Sequence, residues 1–341
     1  MTAPLQTDVD DGATRESVAA RPCVLVIGNF DGVHKGHQAV VRQAVAEARA
    51  AGLAACALTF HPHPGEVVGA GAPPLLTSMR DRAALLRSLG IERVYVRRFD
   101  RTFAAWSPER FAGELVAETL AARVVVVGQD FRFGAKRAGD LDRLRVLGDE
   151  HGFAVRVAGV ASDAIGPYSS TRVRDALASG DLQAATAVLG RPHALSGVVV
   201  HGDARGRTLG FPTANLAHIV EMLPADGIYA VTVERRDEEG AAIPLGGGAG
   251  VGAAVSAAPR PQHGVMSIGV RPTIGTSHRT VEAYLLAFAG DLYDARLRVA
   301  LIARLRDEKK FASLDELKVQ IGRDAAEAQS VLQAILQDNA S

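Results

Sequence analysis

The chain has 341 residues, a length that favours two domains over one. Its 38 basic and 38 acidic residues give a formal net charge of zero, which argues against nucleic acid or an anionic membrane as a general partner. Two cysteines occur, Cys23 and Cys56, each within an apolar run. They do not make a disulfide framework, so we expect buried, inert thiols in a reducing cytoplasm.

The first 20 residues are polar and have no apolar core, so they are predicted to form a disordered tail rather than a signal peptide. Elsewhere, no stretch approaches the roughly 20 unbroken apolar residues of a membrane-spanning helix. We therefore expect a soluble cytoplasmic protein that acts without a membrane or nucleic acid. A monomer and a weak homo-oligomer are both left open by the composition.

From residue 21 to about 160, short apolar runs alternate with helical patterns. The runs lack polar alternation, which predicts strands buried on both faces and an α/β fold with a doubly wound parallel sheet. The predicted strands are 23–27, 54–60, 93–96, 123–127 and 154–157. The predicted helices are 38–51, 78–89, 107–121 and 141–151, and Ser107 followed by Pro108 marks the start of the third.

The pattern changes near Gly190, after which strand-like alternation replaces the helical crossovers. Five predicted strands and one amphipathic helix at 313–337 indicate a small antiparallel β-barrel with a C-terminal helix. These strands are 194–200, 227–233, 265–268, 280–288 and 297–304. The Gly- and Ala-rich stretch 238–262 is predicted to be a long mobile hairpin loop. We therefore expect domains at 21–188 and 192–338.

Residues 28–37 read GNFDGVHKGH and stand between the first strand and the first helix. A turn that leads into a helix N-terminus collects backbone N–H groups at the positive end of the helix, which favours an anion. His34 and His37 add side-chain donors, and two such ligands without a nearby third make a poor zinc site. The turn is therefore predicted to bind a triphosphate, with a surface turn carrying two solvated histidines as the alternative.

Three further motifs follow later strands of the same predicted sheet, where the ligands of such sheets collect. Residues 59–64 read TFHPHP, residues 127–134 read VGQDFRFG, and residues 169–174 read SSTRVR. The hydroxyls of the last run can cap a helix, and Arg174 is suited to spread charge on a phosphate. A plain helix cap is the alternative for this run.

The turn matches at every position the signature G-x-F-D-x-x-H-x-G-H of nucleotidyltransferases, and residues 21–191 resemble the adenylyltransferase half of the prokaryotic bifunctional riboflavin kinase/FAD synthetases. The resemblance implies that His34, His37 and Arg174 stabilise the reacting phosphates of ATP. It implies further ATP contacts from Gly28, Asn29, Phe30, Asp31, Gly32, Ser170 and Thr171. It places Pro62, Pro64, Asp130 and Phe133 on the FMN side. Residues 166–168 depart from the family pattern and are expected to reshape the loop before Ser170.

Residues 201–215 read HGDARGRTLGFPTAN, a glycine-spaced basic loop that is not a Walker loop because no Gly-Lys-Ser/Thr follows. Its glycines let backbone amides approach phosphate, and the oxygens of Thr213 and Asn215 suit a hard cation such as Mg²⁺. A long turn without function is the alternative. The stretch resembles the ATP–Mg²⁺ site of riboflavin kinases, a likeness that extends over about 191–323. It implies ATP contacts from Gly202, Gly206, Arg207 and Gly210.

The same resemblance makes Glu282 the general base that takes the proton of the ribityl 5′-hydroxyl. An outward, solvated carboxylate is the ordinary alternative for a glutamate on a strand. Ser267, Tyr284 and Ala287 depart from the asparagine, histidine and aspartate that the family commonly has at these positions. These departures bear on flavin affinity and leave every implied catalytic group in place.

The chain is thus identified as a member of the bifunctional flavin-cofactor family. The implied reactions are phosphorylation of riboflavin by ATP to FMN in the C-terminal domain, and transfer of AMP from ATP to FMN in the N-terminal domain to give FAD and pyrophosphate, with Mg²⁺. Two alternatives stay open. A nucleotidyltransferase whose degenerate barrel only senses flavin would make no FMN, and a cytidylyltransferase would prefer CTP to ATP.

Overall fold

A computed structural model describes residues 8–10, 21–69, 71–202, 211–238, 240–245, 261–273 and 276–338. Contacts divide the chain into two compact units, Met1–Pro74 with Met79–Ser170 and Leu75–Ser78 with Thr171–Ser341. The division falls after Ser170, whereas the sequence predicts a boundary near 188–192. The reason is local, because the carbonyl of Leu177 accepts the N–H of Ala225 and so joins the preceding helix to the second unit.

Six described strands of the first unit form a parallel sheet in the order β1-β4-β3-β2-β5-β6, which confirms the predicted doubly wound α/β fold. The strands are β1 Asp8–Asp10, β2 Cys23–Ile27, β3 Ala54–His61, β4 Arg93–Arg98, β5 Ala122–Gly128 and β6 Ala154–Ala158, with a separate hairpin of β7 Ser162–Asp163 and β8 Gly166–Pro167. The helices are α1 Lys35–Ala51, α2 Pro64–Val67, α3 Met79–Ser88, α4 Arg101–Ala104, α5 Pro108–Arg110 and α6 Leu141–His151, with a 3-10 turn at Ala135–Arg137.

The central strand β2 is buried on both faces, which explains its lack of polar alternation. Cys23, Leu25 and Ile27 pack into one apolar cluster that also contains residues of α6. Val24 and Val26 pack into a second cluster, with residues of α1 and α3, on the opposite face. Both cysteines are buried and neither forms a disulfide, as expected from the sequence.

Two local features of this unit differ from the sequence-based expectation. Ser107 caps α5 by accepting the N–H of Arg110 at 3.2 Å, as predicted, but the chain then winds as a π-helix over Phe111–Thr119. The N–H of Leu120 accordingly reaches back five residues to the carbonyl of Leu115. In the stretch predicted as a tail, Asp8–Asp10 forms a short strand parallel to β4.

The second unit is a closed antiparallel barrel, which confirms the predicted fold. Its described strands follow the order β12-β11-β13-β14-β10-β9-β15, and an additional pairing between β11 and β15 closes the barrel. They are β9 Ala194–Val200, β10 Thr213–Ala217, β11 Gly227–Arg236, β12 Ala242–Ile243, β13 Gln262–Thr273, β14 Thr276–Leu285 and β15 Arg296–Arg306. Helices α7 Ser170–Ser179 and α8 Leu182–Leu189 precede them, and α9 Leu314–Asp338 follows.

Strand β10 was absent from the prediction, which treated its residues as the end of the glycine-rich loop. Helix α9 covers the barrel by packing Ala328 and Leu332 against Ala230 of β11. Of the predicted loop 238–262, Ala242–Ile243 pairs with the end of β11, and residues 246–260 lie outside the described part of the chain. No helix in the described ranges is both long and apolar enough to cross a membrane.

Candidate active sites

In the first unit, the turn after β2 holds a strained backbone at the carboxyl edge of the parallel sheet. Phe30 and Val33 have φ angles of 51° and 41°, in the left-handed region that residues with a Cβ rarely adopt. Such a conformation costs on the order of 1–3 kcal/mol per residue and persists only where the surroundings enforce it. Both side chains are buried in the core, so packing supplies part of that constraint.

Hydrogen bonds from three other segments fix the carbonyl groups of this turn. The carbonyl of Asn29 accepts the hydroxyl of Thr59 at 3.0 Å and Nη1 of Arg82 at 2.8 Å. The carbonyl of Asp31 accepts the hydroxyl of Ser170 at 2.8 Å. Thr59 and Arg82 were not identified from the sequence, since neither falls in the signature and a helical arginine is ordinarily exposed. The hydroxyl of Ser170 therefore contacts the backbone of the turn, and its implied contact with ATP stays a prediction.

His34 and His37 lie together at the N-terminus of α1. His34 is the N-cap residue, and its Nδ1 accepts the backbone N–H of His37 at 3.4 Å. In a neutral His34 ring the proton is therefore on Nε2, which acts as a donor. The two rings stack with centroids 3.7 Å apart. Gly36 has little room for a side chain, because a Cβ there would lie 2.9 Å from Cε1 of His34 and 3.1 Å from the carbonyl of Tyr168.

His37 is held as a neutral imidazole. Burial, followed by the nearby His34 and the charge of Arg82, lowers the pKa of His37 well below its usual value. Its Nδ1 atom is buried and has no hydrogen-bond partner among the described residues. A neutral ring with an unsatisfied buried nitrogen, beside the N–H groups of a helix N-terminus, is suited to contact an incoming polar ligand.

The two prolines predicted for FMN follow β3, the neighbour of β2 in the sheet. Pro62 follows His61 through a cis peptide bond, and Pro64 is the first residue of α2. Between them, His63 caps α2 through Nδ1, which accepts the N–H of Gly65 at 3.1 Å. Its Nε2 lies 3.4 Å from the side-chain nitrogen of Asn29, which joins this loop to the signature turn.

Asp130 and Phe133 follow β5, which neighbours β2 on the other side. Asp130 is exposed. Phe133 is only 6% exposed and belongs to the hydrophobic core, with its ring 5.4 Å from that of Phe111. Its ring also stacks on that of the partly exposed Phe131, with centroids 5.6 Å apart. The implied contact of Phe133 with FMN stays a prediction, since much of its surface is already buried.

Thr171 and Arg174 lie at the start of α7. The division by contacts assigns both residues to the second unit. Thr171 is exposed and Arg174 is half-buried. The described structure does not test their implied contacts with ATP, which stay predictions.

In the second unit, the residues predicted for catalysis and metal binding meet across two paired strands. Asn215 of β10 lies directly opposite Glu282 of β14, and Thr213 lies opposite Tyr284. The hydroxyl of Thr213 donates to Oε2 of Glu282 at 3.4 Å. On its other side, Glu282 is paired with Ser267 of β13. All of these side chains are half-buried, so Glu282 is neither deeply buried nor a fully solvated strand carboxylate.

Gly202, which follows β9, lies very close to the side chain of Asn215. A Cβ at this position would overlap the side-chain amide of Asn215, so only a glycine backbone can pass so close to it. The remaining predicted ATP contacts of this loop, Gly206, Arg207 and Gly210, lie outside the described residues.

A cavity of about 540 Å³ lies between the barrel and α9. Tyr284 and Ala287 line it from β14 and the following residues, His263 lines it from β13, and Gln329 lines it from α9. Tyr284 is two residues from Glu282 on the same face of β14, and Glu282 itself does not line the cavity. A volume of roughly 300–1,000 Å³ is typical of small-molecule sites. Two of the three departures noted in the sequence, Tyr284 and Ala287, therefore line this cavity.

Comparisons with known proteins give two family models, one for each half of the chain. FAD synthetase matches residues 16–172, and riboflavin kinase matches residues 189–332. A bifunctional riboflavin kinase/FMN adenylyltransferase from Escherichia coli (strain K12) is 41% identical over 303 residues, which cover 89% of this chain and 90% of that protein. A protein with the same description from Pseudomonas fluorescens is 38% identical over 313 residues, which cover 91% of this chain and 93% of that protein.

Among solved structures, a crystal structure described as a macrolide-efflux protein from Streptococcus pneumoniae is similar to this chain. The TM-score is 0.76 at 29% sequence identity, and the match covers 92% of this chain and 95% of that chain.

Proposed function

The chain belongs to the family of bifunctional riboflavin kinase/FMN adenylyltransferases, and from this premise we propose which residues carry out its two reactions. The C-terminal part phosphorylates riboflavin with ATP to give FMN. The N-terminal part transfers AMP from ATP to FMN to give FAD and pyrophosphate. In both reactions an oxygen attacks phosphorus in line, so positioning and charge neutralisation supply most of the catalysis.

Glu282 is the proposed general base of the kinase reaction. The observation that carries this assignment is its position, opposite Asn215 on the next strand and within hydrogen-bonding distance of Thr213. The carboxylate takes the proton of the riboflavin 5′-hydroxyl as that oxygen bonds to the γ-phosphorus of ATP, and ADP leaves. Donation by Thr213 to Oε2 orients the carboxylate.

The oxygens around Glu282 fit a hard divalent cation. Thr213, Asn215 and Glu282 present a hydroxyl, an amide and a carboxylate, which are ligand types of Mg²⁺. The described residues contain no group of three or more His, Cys, Asp or Glu side chains that could hold a metal by themselves. We therefore assign Mg²⁺ to Thr213 and Asn215 together with the ATP phosphates. When bound, the cation neutralises charge on those phosphates.

The kinase ATP is also assigned to the glycine-spaced loop. Gly202 passes against Asn215, which puts the start of this loop next to the proposed metal ligands. Gly206 and Gly210 would let backbone N–H groups approach phosphate, and Arg207 would add positive charge.

In the adenylyl transfer, the turn after β2 and the N-terminus of α1 hold the ATP phosphates. His34 offers Nε2–H, and neutral His37 can contact a phosphate oxygen without a proton leaving or entering the ring. Charge moves onto the pyrophosphate as the FMN phosphate attacks the α-phosphorus, so these donors stabilise the transition state. We assign Arg174, Ser170 and Thr171 to the same phosphates, together with the signature residues Gly28, Asn29, Phe30, Asp31 and Gly32.

FMN is assigned to the two loops on either side of that turn. Pro62 and Pro64 come from the loop after β3, and Asp130 and Phe133 come from the loop after β5. Because β3 and β5 both neighbour β2, the two loops flank the turn, and a flavin between them would present its phosphate to ATP.

The test of the function is a time course with riboflavin, ATP and Mg²⁺ in which FMN and FAD are separated by chromatography. FMN should appear first and FAD after a lag, and EDTA should stop both reactions. With FMN supplied in place of riboflavin, FAD should form without a lag. FAD formation from riboflavin without any intermediate FMN in solution would require transfer of FMN between the sites. Absence of FMN formation under all conditions would contradict the kinase assignment.

A further inference from the structure

Arg82 is a buried cation outside every sequence motif. It lies on α3, and its side chain is only 3% exposed. A buried guanidinium without partners would be strongly destabilising, so its partners indicate why it is there. The guanidinium donates through Nη1 to the carbonyl of Asn29 at 2.8 Å and through Nη2 to Oδ1 of Asp31 at 3.0 Å.

These two acceptors lie on either side of Phe30, the residue with a left-handed φ of 51°. The guanidinium of Arg82 therefore holds the backbone carbonyl of Asn29, which precedes Phe30, and the carboxylate of Asp31, which follows it. In a trans peptide the N–H points away from the carbonyl. With the Asn29 carbonyl directed at Arg82 and Thr59, the N–H of Phe30 lies in the same peptide plane and points in the opposite direction.

Phe30 connects this arrangement to the histidine pair. Its ring meets the ring of His37 edge-on, with centroids 5.4 Å apart. A change in the backbone of Phe30 would therefore move the surface on which His37 rests. Arg82 itself is too deeply buried to touch a bound nucleotide, so any effect on the reaction has to pass through the turn.

We propose that Arg82 is a positioning residue for adenylyl transfer: its guanidinium holds Phe30 in the left-handed conformation and thereby fixes His37 and the backbone of the turn against the ATP phosphates. This inference rests on the proposed assignment of the turn to ATP. A lysine places a compact charge where the arginine presents two parallel donors, so it can satisfy one acceptor and not both. A glutamine keeps a neutral donor and loses the charge that faces Asp31.

The experiment compares Arg82→Lys and Arg82→Gln with Arg80→Gln, a matched control on an exposed arginine of the same helix. We expect kcat for FAD formation from FMN to fall roughly 10–100-fold in Arg82→Gln, the usual cost of a small misplacement of reacting groups, and by a smaller factor in Arg82→Lys. The KM for ATP should change less than kcat. The imidazole NMR signals of His37 should move in the same order, and Arg80→Gln should match the parent.

The fluorescence of Trp106, the single tryptophan of the chain and a residue of the first unit, reports whether that unit is folded in each variant, and FMN formation reports the same for the second unit. A variant Arg82→Gln that makes FMN at the parental rate and also keeps parental kcat for FAD would overturn the inference. If Arg82→Gln loses both activities, Arg82→Lys decides: parental kcat for FAD with unmoved His37 signals overturns the inference, and a reduced kcat with shifted signals supports it. Persistence of FAD formation in His37→Ala would instead contradict the assignment of the turn, which is a separate failure.

Discussion

In the first unit the functional groups are held by a buried turn whose backbone is strained, whereas in the barrel they stand as side chains on two paired strands. The turn depends on Phe30 and Val33 in left-handed conformations and on carbonyls fixed by donors from other segments. In the barrel, Thr213, Asn215 and Glu282 are brought together by the pairing of β10 with β14, which sets Asn215 opposite Glu282. In the proposed function the two constructions serve the same purpose, because each is assigned to hold phosphates in line with an attacking oxygen.

The difference predicts different sensitivities in the two halves. At the turn, the proposed ATP contacts include backbone N–H groups, so substitutions that move the backbone should be as harmful as those that remove a side chain. On the strands, the backbone is held by the sheet, so removal of one side chain should leave its neighbours in place.

The largest expected effect is on the barrel side, from Glu282→Gln. The substitution preserves shape and removes the proton acceptor, so kinase kcat should fall by roughly 10²–10⁴-fold, the usual worth of a positioned general base. Riboflavin and ATP should still bind, and FAD formation from supplied FMN should be unchanged. Glu234→Gln, at a barrel carboxylate that pairs with Arg298, is the control and should keep parental kinase kcat. Turnover of Glu282→Gln within a few-fold of the parent would place the base elsewhere.

On the turn side, Gly36→Ala should disable FAD formation without removing any functional group. The new Cβ would lie within 2.9 Å of the His34 ring and 3.1 Å of the Tyr168 carbonyl, so the start of α1 has to shift. We expect kcat for FAD formation to fall about 10–100-fold. Gly159→Ala is the matched control, because a Cβ there meets nothing within 4 Å. Equal activity of the two variants would show that the turn tolerates displacement.

A smaller effect is expected from Asn215→Ala, which removes one neutral oxygen beside Glu282. The kinase should then require roughly tenfold more Mg²⁺–ATP, because the ATP phosphates and Thr213 still hold the cation. FAD formation from FMN should not change. The measurement is a Mg²⁺ titration of both activities in one preparation. Unchanged kinase kinetics would show that Asn215 does not contribute to Mg²⁺ binding and is only a structural residue of β10.

The smallest effect concerns stability. Because the pKa of His37 is lowered on folding, the unfolded chain binds a proton near pH 6.5 that the folded chain does not bind. The free energy of unfolding of the first unit should therefore decrease as the pH falls below about 6.5, and His37→Gln should weaken that decrease. Urea unfolding at pH 7.5 and 5.5, followed by the fluorescence of the single tryptophan, Trp106, measures it. The same pH dependence in both proteins would mean that His37 does not cause it.

Much of the fold could be predicted because local patterns and tertiary structure agree. Strands 23–27 and 194–200 have the predicted bounds, since turn residues close each of these runs. Strand β10 was missed because Thr213–Ala217 follows a glycine-rich loop and is polar at alternate positions that face the functional cluster. The π-helix at Phe111–Thr119 was missed because its apolar spacing resembles that of an α-helix.

Candidate site residues could be proposed from the sequence where one short motif contains them, as in residues 28–37, and their roles stay predictions. Arg82 could not be found in this way, because its role depends on α3 reaching a turn that is 51 residues earlier in the chain. Nothing in a single sequence distinguishes it from the exposed Arg80 two residues before it. Phe133 shows the opposite case, since its motif follows β5 as the sequence predicts but its ring is largely buried in the core.

The central claim is that the chain has two separate active sites, and His37→Ala tests it most directly. His37 lies in the turn of the first unit, and Glu282 lies on a barrel strand of the second. The variant should form FMN from riboflavin at close to the parental rate and should fail to convert FMN into FAD. Both products are measured in the same reaction by chromatography. An equal loss of FMN and FAD formation in a folded variant would contradict the account.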